Sequence, residues 1–99
     1  MENNLNKSLG FLRSDSKSWV SSSLFFMSIN KLNLNDKIYH LPIGHEFNNE
    51  YLLSYTNTLC EELLKVSVAR EDHEAYEYVK KVALVLRSWA NDGFSLKVI

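Results

Sequence analysis

Apolar residues recur at steps of three and four through residues 49–93, and the rest of the chain is organised around that stretch. Its first half sets Leu52, Tyr55, Thr56, Leu59, Leu63 and Val66 on one stripe of a 3.6-residue helix, with Glu61 and Lys65 opposite. Asn48 or Asn49 can cap it, because a short amide oxygen accepts from a free N–H of the first turn, and Glu50 then suits the helix dipole. The second half repeats the pattern with Ala75, Val79, Val82, Leu86 and Trp89. It begins among Glu71, Asp72 and Glu74 and ends at Asn91-Asp92-Gly93, which offers a left-handed C-cap. Leu84 points away from the stripe, with Ala83 and Val85 to either side. This part of the helix is apolar nearly all round, so it either packs on several sides or offers an apolar surface to a partner. The link Val66-Ser67-Val68-Ala69-Arg70 holds neither Gly nor Pro, so a capped or 3₁₀ turn separates two helices, or one kinked helix runs through.

Upstream, Leu5, Leu9 and Leu12 are spaced for a short helix over residues 2–12, weakened by Gly10. Ser14-Asp15-Ser16 reads as a break and a new N-cap, after which Trp19, Val20, Leu24 and Met27 continue a helix over about residues 16–30. Residues 31–47 form the least regular part. The alternation Lys31-Leu32-Asn33-Leu34-Asn35 would suit a strand, and Pro42 with Gly44 a turn. In the tail, residues 94–99, Phe94, Leu96 and Val98 alternate with Ser95 and Lys97 as in a strand or extended lid. The expected fold is all-α: residues 1–99 as one small bundle of about four helices, with an irregular 31–47 connection and a short extended C-terminal tail.

Composition agrees with one globular domain: 45% of the residues are hydrophobic and 23% charged, with no excess of Pro or Gly. The single cysteine, Cys60, falls near the apolar stripe of the first long helix, where it forms no intrachain disulfide and reads as a small buried hydrophobe. That usage points to a reducing, cytoplasmic setting, and the apolar stretch at residues 19–29 is too short to span a bilayer. The three glycines at 10, 44 and 93 stand too far apart for a phosphate-binding loop. His40 and His45 with Glu46 lack a further placed ligand, so no metal is assigned. No strand–nucleophile–helix elbow is present, and the adjacent pairs Glu61-Glu62 and Glu71-Asp72 diverge by about 100° on a helix instead of converging on one bond. No catalytic or cofactor-binding residue is therefore expected, and the chain reads as a non-enzyme. Lys7, Arg13, Lys17, Lys31 and Lys37 give a mild basic excess, but a pI near 6.3 and the lack of a basic recognition helix argue against direct nucleic-acid binding.

Charge is nonetheless uneven. Residues 46–77 carry eight acidic groups against Lys65 and Arg70, while the remainder carries nine basic against four acidic. The acidic groups come with tyrosines: Glu71, Asp72, Glu74, Tyr76 and Glu77 on the second long helix, and Glu61 and Glu62 on the first. Carboxylates along a helix can take the place of phosphates in a basic groove, and tyrosine adds rigid contact area. These seven residues are the expected partner-binding set. In size, helical character and acidic face, with Glu71-Asp72-His73-Glu74 opening the last helix, the chain resembles the small bacterial immunity proteins of colicin and contact-dependent inhibition systems. The resemblance implies an antitoxin without chemistry of its own, which binds one cognate toxin, a basic nuclease, and covers its cleft. The alternative is a homodimeric adaptor that closes on Leu84.

Overall fold

The computed structural model describes residues 10–34, 44, 46–66 and 72–99. Among these residues seven elements follow one another: β1 (Gly10–Arg13), β2 (Trp19–Ser21), α1 (Ser22–Lys31), β3 (Glu46–Phe47), α2 (Asn49–Lys65), α3 (His73–Asn91) and β4 (Leu96–Val98). The four strands form one antiparallel sheet in the order β2-β1-β4-β3. The fold is thus α+β, and the all-α bundle expected from the sequence is incorrect.

Each correction has a local cause. Residues 10–12, expected at the end of a first helix, are strand, and residues 2–9 lie outside the described residues. Ser14-Asp15-Ser16 is the turn of a hairpin instead of a helix cap. Arg13 holds both oxygens of Asp15 through Nε and Nη2 at 2.8 and 2.9 Å, and Asp15 Oδ1 accepts from the Lys17 N–H at 3.1 Å. Ser16 adopts φ 63°, which a short polar residue tolerates better than a bulky one. The helix expected over residues 16–30 begins only at Ser22, because Trp19 to Ser21 pair with β1. Ser21 then serves as N-cap and accepts from the Leu24 N–H at 3.3 Å.

Leu32-Asn33-Leu34 is not a strand but the stop of α1. Asn33 takes φ 59°, its N–H donates to Asn30 O, and the Leu34 N–H reaches back to Ile29 O at 3.1 Å. Leu34 and Ile29 are both buried, the apolar contact that usually accompanies this capping motif. Of the remainder of the 31–47 connection, 35–43 and 45 lie outside the described residues, and Glu46–Phe47 forms β3.

The long helices agree with their stripes. In α2, Leu52, Tyr55, Thr56, Leu59 and Leu63 are buried, and Asn48 caps the start by accepting from the Tyr51 N–H at 2.8 Å. In α3, Ala75, Val79, Val82, Leu86 and Trp89 are buried, joined by Ala83 and Ala90. Gly93 at φ 88° ends it, with the Phe94 N–H bonded to Trp89 O at 2.9 Å. The two are separate helices, with the middle of their link, 67–71, outside the described residues. A link this short returns the chain, so the end of α2 and the start of α3 lie at one end of a helical hairpin.

The extended tail is β4, and it sits in the middle of the sheet between β1 and β3. Leu96 and Val98 are buried and Lys97 is exposed, the alternation of a strand covered on one face. Phe11 stands opposite both Val20 and Val98 on the covered face, where its ring meets Phe25 and Phe26 of α1 edge to face at 5.5 and 6.0 Å. Phe11, Leu96 and Val98 join Phe25, Leu52, Leu59, Val79 and Leu86 in one core cluster between a helical layer and a sheet.

Candidate protein-binding surface

The hairpin end collects the acidic residues singled out from the sequence, but does not spread them over one face. Glu61 is exposed near the end of α2, whereas Glu62 is partly buried and lies 3.5 Å from Lys65 Nζ, one helical turn on. Glu74 and Glu77 are exposed in the first two turns of α3, with Glu77 3.9 Å from His73 Nε2. Asp72 precedes that helix, half-buried, and its side chain makes no capping bond. Glu71 lies outside the described residues.

Tyr76 is half-buried and packed against the core. On the helix wheel it lies on the same side of α3 as Arg87, whose Nη2 donates to Asn57 Oδ1 of α2 at 2.7 Å. Tyr76 is therefore part of the seam between the long helices, and its free ring edge is smaller than the sequence suggests. Tyr78 is also half-buried, on the opposite flank of α3, and burial pushes its hydroxyl pKa up.

One counterweight was missed in the sequence. Lys80 and Lys81 are exposed on the same outer face of α3 as Glu77, one turn further along. The negative field is therefore confined to the start of α3 and the end of α2, because beyond Glu77 the helix surface turns cationic. Further out on that face Leu84 is 51% exposed, while its neighbour Ala83 is fully buried and Val85 half-buried. At this point α3 is apolar on its outer face as well as its inner one. Leu24 and Met27 of α1 and Trp19 of β2 are also exposed.

Cys60 is half-buried and packed against the core. No three His, Cys, Asp or Glu side chains gather as metal ligands among the described residues, and His40 and His45 lie outside them. No described helix is long and apolar enough to cross a membrane. Comparison with known protein families, with curated proteins and with solved structures finds no match for this chain.

Proposed function

We propose that the chain is an immunity protein: a cytoplasmic, non-enzymatic inhibitor that covers the basic cleft of a cognate toxin, most simply a nuclease. The observation that carries this reading is the set of exposed carboxylates, Glu61, Glu74 and Glu77, at one end of the helical hairpin. Carboxylates on a rigid helix start can replace the phosphates of a nucleic-acid substrate and steer the encounter from a distance. Asp72 at the same helix start adds to that field, and Glu71 precedes it in sequence. Glu62 and Tyr76 contribute less, being engaged by Lys65 and by the core.

The test begins with the reading frame next to this one: induce it under tight control and count survivors with and without this protein. Rescue that depends on this chain supports the reading, and a harmless neighbour or failed rescue removes it. With a toxin in hand, Glu74→Gln with Glu77→Gln should slow association about tenfold at low salt and flatten its salt dependence. Stopped-flow mixing across a salt series reads this, and unchanged rates would move the interface away from the start of α3.

A second reading, a homodimeric adaptor, draws on the exposure of Leu84. Sedimentation of the isolated protein tests it: a dimer lost in Leu84→Lys is its signature.

A further inference from the structure

On the flank of α3 away from α2, shallow hollows run together along the helix. One lies between α1 and the start of α3, where Leu24 and Lys31 face Glu74 and Tyr78. The next, of about 240 Å³, lies between the edge of the sheet and α3, with Trp19, Val20 and Ser21 facing Tyr78, Lys81 and Val85. It continues past Leu84 and Trp89 to Arg13. Three features of this cleft are independent of the acidic hairpin end.

First, its sheet wall offers backbone groups. The Arg13 N–H donates to Ser18 O at 3.0 Å, so the next hydrogen-bonded pair in this ladder is Phe11 with Val20. The pair between them, Leu12 and Trp19, directs its N–H and C=O groups outward. On the β1 side that direction is used: Gly10 exchanges two 2.9 Å bonds with Ile99 in the adjoining ladder. On the β2 side it is not, since β2 is the first strand of the sheet and Trp19 N–H and C=O meet no strand among the described residues. Second, the cleft is walled by apolar surface, with Leu84 51% exposed beside half-buried Val20, Tyr78 and Val85.

Third, beyond the hollow that Glu74 lines, the charge of the cleft has one sign. Lys81 is exposed and makes no ion pair among the described residues, while Arg13 is held by Asp15. No carboxylate lines the cleft from Trp19 to Arg13. A second copy of the chain fits this poorly. Antiparallel pairing of α3 about Leu84 would set Lys80 and Lys81 against Ser88 and Arg87 of the other copy, with no acid between them.

We propose that the cleft between β2 and α3 takes an extended, carboxylate-bearing segment of a partner protein, which joins the sheet as a strand beside β2. Apolar side chains of that segment, at alternate positions, lie against Val85 and Tyr78, and an acidic one meets Lys81. Because β2 has only three residues, the added ladder is short and the contacts with α3 supply most of the affinity.

A phage-displayed library of random ten-residue peptides, panned on the intact protein, tests this. The expected result is enrichment of peptides that alternate apolar residues and hold an Asp or Glu. Their binding should fall about tenfold or more in Lys81→Glu, an exposed position where the fold is retained. Their addition should also shift the amide resonances of Trp19 and Ser21. Failure to enrich any peptide overturns the proposal, as do peptides that bind Lys81→Glu undiminished. So does a Trp19 amide that shifts with protein concentration alone, which would assign the cleft to a second copy.

Discussion

At Gly10 the indole of Trp19 occupies the space in which a Cβ would stand. The glycine is buried in β1 two positions along from Leu12, the residue opposite Trp19, so it shares a face with the indole, and the ring lies across the strand onto it. An aromatic side chain laid over a strand glycine restores packing that the missing side chain cannot supply. Gly10→Ala should therefore displace the indole into water. In a Trp89→Phe background, emission from Trp19 is expected to move to longer wavelength. Stability should fall by about 1 kcal/mol at most, since alanine recovers some strand propensity and a half-exposed ring can swing aside. Unchanged emission would mean that the ring does not rest there.

The hairpin turn beside it is set by charge. The hydrogen bond from Arg13 holds the Asp15 carboxyl below its usual value of 3.8, helped by the Lys17 N–H, and the Arg13 guanidinium also lies 4.3 Å over the Phe94 ring. A carboxylate with a lowered pKa in the folded chain stabilises fully above its ordinary value, and loses that contribution as pH falls through the lowered one. The Lys17 amide resonance should therefore stay fixed at neutral pH and move only below about pH 4, and Asp15→Asn should abolish that movement.

Among the elements, α3 has the most varied surroundings: α2 on one flank, α1 and the sheet edge on the other, core beneath and Leu84 outside. Leu86→Ala, at a fully buried position, should cost about 2–5 kcal/mol, and Leu84→Ala less than about 0.5 kcal/mol, both read from urea midpoints. Equal costs would mean that the outer face is covered. These helices could be read from the sequence because each repeats its apolar stripe over four or five turns and carries its own cap, at Asn48 and at Gly93.

The strands could not, apart from the tail with its Leu96, Lys97, Val98 alternation. Strands of two to four residues leave too short a record of period two. Leu12 also continues the helical spacing of Leu5 and Leu9, and Trp19 and Val20 that of Leu24. What makes β1 a strand is pairing with residues more than 80 positions away, which no local window contains. The acidic candidates were legible as charge. Their engagement was not: Glu62 with Lys65, Tyr76 with the core, and the cleft beside Lys81 all depend on which side of a helix its neighbours occupy.

At the scale of the molecule, one helical layer lies on one sheet, and β4 fixes which face of the sheet is which. Val98 stands opposite Phe11 under the helices, and Lys97 stands opposite Glu46 on the other face. Val98→Asp places an unpaired carboxylate in the core and should abolish the cooperative thermal transition seen by circular dichroism. Lys97→Gln should leave that transition within a few degrees of the parent. Similar losses from both would contradict a sheet covered on one side.

The central place of β4 also bears on how the chain comes to be folded. It follows every other described element in the order of synthesis, yet it alone joins the β1–β2 hairpin to β3. On the ribosome the hairpin and the three described helices are made before the strand that unites the sheet, and β1 waits with one edge unmatched. Closing the sheet then draws together residues as distant as Phe11 and Val98, a late and slow step set by chain topology. Until β4 is in place, the helical hairpin keeps an open apolar underside, the form in which a chaperone would meet it.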